Sequence, residues 1–256
     1  MKQKNFKFAV LSGNTLKLLA AIFMVIDHAG LMLFNYVKPM RIIGRLAYPI
    51  FAFMIAEGCK YTKHKFKYFG NIFILGVLFQ VVYYVAERSL YMSIFVTFSL
   101  SILMIYALQN FKKQLFAKKW FLSLLAFLIF AFSIACTYVL NIKFDIDYGF
   151  WGSMMPVFVS LFHADPKDEN QRLLKKIDSV YLSVLMATIA IVIIAISLHY
   201  SRFSNQEYAI LSIPLLLMYS GKRGKHKMKY FFYYFYPIHL VVLYVIAYLV
   251  GADFYV

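Results

Sequence analysis

Long apolar runs recur along the whole of this chain, and they constrain its fold more than any other feature. A helix needs ~20 apolar residues to cross ~30 Å of hydrocarbon. A soluble protein carries roughly 25% charged residues, whereas this chain of 256 residues has 15% charged and 62% hydrophobic residues. A water-soluble fold would expose these runs as an aggregation hazard. We therefore predict an all-α, polytopic transmembrane helical bundle that forms a single domain over residues 1–256. We place its nine spans at 15–36, 42–60, 69–86, 91–109, 120–141, 148–163, 179–199, 206–220 and 230–250.

Basic residues alternate between the two ends of these spans. Clusters precede the first span and follow the second, fourth, sixth and eighth, whereas the other loops hold only Lys38, Arg41, Arg88, Lys143 and Arg202. Lys and Arg collect in cytoplasmic loops, so the alternation predicts a cytoplasmic N-terminus and an extracytoplasmic C-terminus in the cytoplasmic membrane. The clusters are Lys2, Lys4 and Lys7; Lys60, Lys63, Lys65 and Lys67; Lys112, Lys113, Lys118 and Lys119; Lys167, Arg172, Lys175 and Lys176; Lys222, Arg223, Lys225, Lys227 and Lys229.

The net charge of +16 would suggest nucleic acid as the partner of a soluble protein. In a membrane protein the same charge follows from topology and from contact with anionic lipid. We therefore predict membrane lipids, and no nucleic acid, as partners. Cys59 and Cys136 have apolar surroundings, and two such cysteines make neither a disulfide framework nor a zinc site. No metal is predicted, and the first apolar run lacks the small-residue cleavage site of a signal peptide.

Ionisable residues inside the first span point to a function, because a buried charge is costly in hydrocarbon. Lys17 and His28 lie eleven residues apart, about three helical turns, so they share one face and are separated by ~16 Å along the axis. This geometry suits a long phosphate-bearing donor that enters from the cytoplasm, with its charged end near Lys17 and its reactive end at His28. The alternative is that Lys17 snorkels and His28 is a core histidine.

The last predicted span carries a second histidine, His239, at nearly the depth of His28. It follows Tyr236 and Pro237, and a proline bends a helix and frees a backbone carbonyl. The two histidines would share a proton relay or bracket one reacting centre. Asp27 faces another side of the first helix, so its neighbour His28 is not its evident partner.

The second span adds two charged positions, Arg45 and Glu57. Arg45 lies near the outer side, four residues after Arg41 and on the same face. It would bind an anionic group or pair with Asp145 or Asp147. Glu57 lies near the inner basic loop, where pairing with lysines is the simpler role.

Several stretches carry a resemblance to a known family. They are 16–18, 26–30, 41–58, 61–62, 97–100, 147–152 and 234–240. In this order, over nearly the whole chain, they resemble the TraX family, which is named for a conjugation protein that acetylates the N-terminus of pilin. The family is similar in layout to transmembrane acyltransferases that move acyl groups from cytoplasmic acyl-CoA to extracytoplasmic or membrane-borne acceptors. The 41–58 block and the Tyr-Pro-x-His motif ending at His239 are the most specific parts.

The resemblance implies an acetyl-CoA-dependent acyltransferase. Lys17 and His28 match the family's pattern of a basic residue, ten residues and a histidine, with Lys where many relatives have Arg. The acceptor would be a protein N-terminus, a glycan or a lipid-linked molecule. The implied catalytic residues are His28 as base or acyl carrier, Asp27 as orienting group and His239 in proton transfer; Lys17, Lys60 and Lys63 would bind CoA phosphates; Arg45, Tyr48 and Tyr236 would bind the acceptor or an oxyanion.

Two other functions fit parts of the pattern. Intramembrane Asp, Glu and His together with proline-broken helices also describe proton-coupled transporters and flippases, although no inverted repeat is visible. A non-catalytic assembly component of a surface appendage is the third hypothesis.

Overall fold

The computed structural model describes residues 9–34, 36–88, 90–198, 205–225 and 228–251, and within them the regular structure is helical, without a β-strand. Two 3₁₀ helices, Glu169–Gln171 and Gln206–Ser212, join the α-helices. The α-helices are α1 (Gly13–Met32), α2 (Lys38–Gly44), α3 (Ala47–Tyr61), α4 (Lys65–Glu87), α5 (Ile94–Phe116), α6 (Trp120–Lys143), α7 (Gly149–Ser160), α8 (Arg172–Ile177), α9 (Val180–Leu198), α10 (Ile213–Leu217) and α11 (Lys229–Leu249).

Within the described residues, seven helical stretches are long and apolar enough to cross a membrane, and each corresponds to one of the predicted spans. The second includes α2 and α3 together and begins at Lys38 rather than at residue 42. The count of nine crossings and the orientation stay predictions. Lys2, Lys4, Lys7, Arg202 and Lys227 lie outside the described residues. The seven stretches are Gly13–Met32, Lys38–Tyr61, Lys65–Val85, Ile94–Phe116, Trp120–Lys143, Val180–Leu198 and Phe231–Leu249.

The chain divides into two compact units, and α3 and α9 contribute residues to both. The first unit holds residues 1–54 and 191–256, in which α1 packs against α2 and α11. The second holds residues 55–190, in which α5 packs against α4, α6 and α7. The division into units does not test the single domain predicted from the sequence, which stays a prediction.

The sixth predicted span contains only the 12-residue helix α7, which at 1.5 Å per residue is ~18 Å long. Its flanking residues nevertheless extend its contacts along most of α5. Before α5, the Met92 N–H donates to the Asp145 carbonyl at 2.8 Å. One turn before the C-terminal end of α5, the Lys112 ammonium donates to the carbonyls of Ser160 at 2.9 Å and His163 at 2.8 Å. The sixth segment therefore runs beside most of a helix that is long enough to cross a bilayer.

The eighth predicted span has a similar relation to α1. Asn205 donates from its side chain to the Tyr36 hydroxyl at 3.3 Å, beyond the C-terminal end of α1. Tyr219 forms an isolated β-bridge with Leu11, before the N-terminal end of α1. Between these contacts lie a 3₁₀ helix of seven residues and the five-residue α10. A 3₁₀ helix rises ~2.0 Å per residue, so this short segment extends along α1 in the opposite direction.

Candidate functional site

The structure brings together the two histidines that the sequence singled out. His28 of α1 and His239 of α11 approach each other with 3.1 Å between Nδ1 of the first ring and Nε2 of the second. The ring centroids are 5.2 Å apart. His239 is buried and His28 is half-buried. A hydrogen bond between two imidazoles requires one ring to donate and the other to accept.

The surrounding contacts assign the direction of that hydrogen bond. His239 Nδ1 lies 3.0 Å from the carbonyl oxygen of Phe235, one turn earlier in α11. A carbonyl oxygen can only accept, so Nδ1 of His239 carries the proton and Nε2 of the neutral ring carries a lone pair. His28 must then donate from Nδ1. Its Nε2 is therefore the ring nitrogen that keeps a lone pair, the form required of a base or nucleophile.

The His239 ring is held in place by its own helix. The Phe235 ring stacks on it with the centroids 5.2 Å apart, and the Tyr236 ring meets it edge-on at 5.3 Å. Pro237 lies between them inside α11 and, having no N–H, cannot complete the helical hydrogen-bond ladder there. Tyr236, predicted to bind substrate, thus contacts the histidine pair directly.

Asp27, the neighbour of His28, binds two arginines instead of a histidine. Its carboxylate lies 2.8 Å from Arg41 Nη1 and 2.8 and 3.0 Å from Arg45 Nη2. All three residues are buried. Arg45 therefore has Asp27 as an ion-pair partner within the first unit. Charges this buried need such pairing, and removing one member of a buried pair typically costs about 3–5 kcal/mol.

Gly44 makes this ion pair sterically possible. It ends α2, and a Cβ at this position would overlap the Asp27 carboxylate and Cβ. Only glycine therefore lets α2 approach α1 closely enough for the arginines to reach Asp27. Tyr48, predicted to bind the acceptor, is the second residue of α3 and is buried. We call the residues Asp27, His28, Arg41, Arg45 and His239 the histidine–arginine site.

Lys17 and His28 both contact α11. They therefore lie on the same face of α1, as their spacing predicted. Its ammonium sits 5.2 Å from the centroid of the Phe232 ring. Lys17 and His28 thus meet successive parts of α11, so α1 and α11 run in the same direction. A cavity of about 200 Å³ opens at the start of α1 and is lined in part by Ser12, Thr15 and Lys225.

The other lysines predicted to bind CoA lie in the second unit. The Lys60 ammonium is buried and binds the Asp178 carboxylate at 2.7 Å. Lys63 is exposed in the turn after α3. Lys60 therefore has a structural partner, and the predicted set of Lys17, Lys60 and Lys63 is divided between the two units.

A second buried polar group, the lysine cluster, consists of Lys60, Lys112, His163, Asp178 and Ser183. We predicted Lys112 in a cytoplasmic loop, and this was wrong: it lies within α5 and is buried. Its ammonium donates to three carbonyl oxygens at the end of α7, at 2.8 to 3.1 Å. These are acceptors that a helix C-terminus leaves unpaired, so the lysine caps α7.

His163 is the histidine of the lysine cluster. Its Nε2 lies 3.0 Å from Ser183 Oγ and 3.4 Å from Glu57 Oε1. The Ser183 hydroxyl donates to the Ser179 carbonyl at 3.2 Å, so it accepts from Nε2 of His163. Nδ1 of His163 is buried and has no hydrogen-bond partner among the described residues. The serine and the glutamate thus face the same nitrogen, so this is not a Ser–His–Glu triad, whose histidine uses both.

Among the described residues, no group of three or more His, Cys, Asp or Glu side chains is arranged to hold a metal ion. Sequence reasoning also missed the pairing of Asp27 with Arg41 and Arg45. The spacing of the arginines signalled a shared face, but it did not reveal which helix that face meets.

Similar sequences identify the family of this chain. The model of the family described as "TraX protein" matches residues 12–247. One relative is "Probable fimbrial assembly protein FimC, serogroup H1" of Dichelobacter nodosus, which is 24% identical over 91% of this chain and 94% of its own length. Another is "Uncharacterized protein RP591" of Rickettsia prowazekii (strain Madrid E), 44% identical over 27% of this chain and 25% of its own length. No solved structure matches.

The family match includes α1, α2 and α3 and almost all of α11, and therefore every residue of the histidine–arginine site. The resemblance seen in the sequence is confirmed, and the chain belongs to the TraX family.

Proposed function

We propose that this protein is a membrane-embedded acyltransferase that moves an acetyl group from acetyl-CoA to a hydroxyl or amine acceptor at or across the membrane. The observation that carries the proposal is the hydrogen bond between His28 and His239, which leaves the lone pair on His28 Nε2. An imidazole oriented in this way is the commonest general base in enzymes. Ionisable residues inside apolar helices cost free energy, so their presence points to a function.

The proposed reaction uses both rings. Acetyl-CoA supplies an acetyl group activated as a thioester. His28 Nε2 takes the proton of the acceptor's O–H or N–H as that atom bonds to the acetyl carbon. The bond from this carbon to sulfur breaks, and the proton returns from His28 to the departing thiolate, giving a thiol. His239 holds the His28 ring and shares the positive charge through its Nε2 lone pair. In a variant of the reaction, His28 Nε2 carries the acetyl group before the acceptor takes it.

The donor would approach along the shared face of α1 and α11. Among the described residues, the Lys17 ammonium meets an aromatic ring and no carboxylate, so its charge is available to a phosphate. Its ~16 Å separation from His28 suits the distance between the charged and reactive ends of such a donor. The basic residues Lys222, Arg223 and Lys225 extend the positive potential at this end of the first unit. Lys63 and Lys60 were predicted to join this set, and only Lys63 is free of a buried ion pair.

We further propose nine crossings of the cytoplasmic membrane, with the N-terminus in the cytoplasm. The sixth segment runs beside most of α5 and the eighth runs beside α1 from end to end, which supports counting them as crossings. The charge alternation requires both of them. The parallel course of α1 and α11 supports an odd number of crossings, since both helices would leave the cytoplasmic side.

The decisive experiment uses the full chain purified in detergent or nanodiscs. We expect it to bind acetyl-CoA and to hydrolyse it slowly when water replaces the acceptor. His28→Ala should slow this hydrolysis by about 10²–10⁴-fold while leaving binding intact. A folded preparation that neither binds nor hydrolyses acetyl-CoA would refute the proposal. A fully active His28→Ala variant would refute it too.

A second candidate function is a non-catalytic part in fimbrial or pilus assembly, favoured by the printed name of the relative from Dichelobacter nodosus. It is distinguished by comparing assembly in cells that express wild-type protein or His28→Ala at equal levels. Unchanged assembly together with lost acetylation supports the enzyme. Unchanged assembly with no acetylated envelope component in either strain supports the structural role.

A further inference from the structure

Arg41 has one buried hydrogen-bond donor, Nε, without a described partner in the histidine–arginine site. Its Nη1 donates to Asp27, but Nε is buried and has no hydrogen-bond partner among the described residues. The whole side chain is only 9% exposed. A guanidinium stays protonated in proteins, so Nε always carries a hydrogen that needs an acceptor. Leaving a buried donor of a charged group without an acceptor costs free energy. This cost indicates that a ligand supplies the acceptor.

The edge of the guanidinium that carries Nε has a particular shape. On a guanidinium, Nε and Nη2 point the same way and form a fork that matches two oxygens of one carboxylate or phosphate. Asp27 cannot serve this edge. Both of its oxygens already accept from Arg45, and Oδ2 also accepts from Arg41 Nη1. The fork therefore faces away from its own ion pair.

The position of the fork relates it to the reactive histidine. Arg41 Nη1 also lies 3.4 Å from the backbone carbonyl of Asp27, the residue before His28. The Arg41 guanidinium rests 5.3 Å from the ring centroid of the half-exposed Tyr36. One side of the guanidinium is thus fixed next to His28, and another meets a side chain that reaches the surface.

We propose that the Nε and Nη2 edge of Arg41 binds an anionic group, a carboxylate or a phosphate, of the acceptor substrate. This inference rests on the proposed function. The donor does not supply that anion in the proposed reaction, because its phosphates would lie at Lys17, ~16 Å away along α1, and its thioester end is uncharged. An acceptor held through its anion would present a hydroxyl or amine to His28 Nε2.

The test measures binding of small probes to the purified full chain by thermal shift. Glycerol 3-phosphate supplies a phosphate with hydroxyls, lactate supplies a carboxylate with a hydroxyl, and glycerol is the neutral control. We expect at least one anionic probe to stabilise the wild-type protein and glycerol to have no effect. Stabilisation by only one anion identifies the phosphate or the carboxylate as the source. No stabilisation by either anion overturns the proposal.

The matched variants are Arg41→Lys and Lys38→Gln. Arg41→Lys keeps a cation for Asp27 but has no fork, and we expect it to weaken the apparent affinity for the anion by tenfold or more. Lys38→Gln removes an exposed charge from the same helix and should bind as the wild type does. Equal binding by Arg41→Lys, or an equal loss in Lys38→Gln, overturns the proposal.

A kinetic measurement separates acceptor binding from a role in the chemistry. Arg41→Lys should raise KM for an anionic acceptor by a larger factor than it lowers the rate of acetyl-CoA hydrolysis with water as the acceptor. An equal loss in both measurements would mean that Arg41 acts on the reacting centre and not on the acceptor's anion, which overturns the proposal. If the wild type binds the anion but never hydrolyses acetyl-CoA, the proposed function fails and the anion site stands.

Discussion

The histidine–arginine site and the lysine cluster are both buried polar groups, but they differ in how the hydrogen-bond donors of their cations are used. In the lysine cluster, Lys112 donates to three carbonyls and Lys60 binds Asp178 at 2.7 Å. In the histidine–arginine site, Arg41 Nε has no described partner. A histidine lone pair is present in both groups, on Nε2 of His28 and on Nδ1 of His163. Paired cations stabilise a fold, whereas a cation with an unpaired donor can bind a ligand, so the two regions should respond differently to mutation.

The largest expected effect is on chemistry, at His28. His28→Ala should lower the rate of acetyl-CoA hydrolysis by about 10²–10⁴-fold, the usual contribution of a positioned base, with little change in stability. His163→Gln should keep wild-type activity, because it changes only the lysine cluster. Steady-state assays and thermal unfolding of both variants check this. An active His28→Ala, or an inactive but folded His163→Gln, would contradict the comparison.

The next largest effect is on stability, at Asp178. Asp178→Asn should destabilise the protein by about 3–5 kcal/mol, because it leaves the buried Lys60 ammonium without its carboxylate. The Asn side chain still offers an oxygen to the Ala164 N–H that Asp178 accepts, so the loss reports on charge. Unfolding in a graded detergent series measures it. The control Glu169→Gln, on an exposed residue, should be neutral, and equal loss in both would contradict the argument.

A somewhat smaller loss is expected at Lys112. Lys112→Met removes the cap of α7 and leaves buried carbonyls without a donor, which should cost on the order of 3 kcal/mol. Lys113→Met changes the exposed neighbour and should have no measurable effect. Hydrogen exchange at residues 158–164 provides a local readout. Unchanged protection there in Lys112→Met would show that α7 has another cap.

The smallest effect is expected at the distant end of the proposed donor path. Lys17→Met should raise KM for acetyl-CoA by about tenfold while kcat is unchanged, because it removes binding energy that ground and transition states share. Lys143→Met, at an exposed position in the second unit, is the matched charge control. A fall in kcat for Lys17→Met would place this lysine in the chemistry instead.

Hydropathy, charge alternation and helical periodicity predicted most of the fold and part of the site. They located seven long helices and put Lys17 and His28 on one face, since these properties are local. They placed His239 at the same depth as His28 because depth follows from distance to a basic loop. The tertiary pairs were beyond such reasoning. Asp27 reaches Arg41 and Arg45 only because α2 approaches α1 at Gly44, a packing geometry that periodicity does not encode.

Lys112 illustrates why charge patterns mislead near helix ends. A lysine beside Lys113, close to a basic loop, has the pattern of a solvated cytoplasmic charge, and we predicted it as one. The structure extends α5 to Phe116 and turns Lys112 inward toward α7. One sequence cannot distinguish these cases, because the inward position depends on the neighbouring segment that needs a donor.

The contact between His239 Nδ1 and the Phe235 carbonyl has a consequence for proton traffic. It keeps one proton on His239 Nδ1, so the two hydrogen-bonded rings can accept only one more proton, at His28 Nε2. In the proposed reaction that proton arrives from the acceptor and departs with the thiol within the same turnover. The cycle is closed, and no proton need come from water on either side. Catalysis in the hydrocarbon layer would then be independent of the membrane's proton gradient, unlike proton-coupled transport.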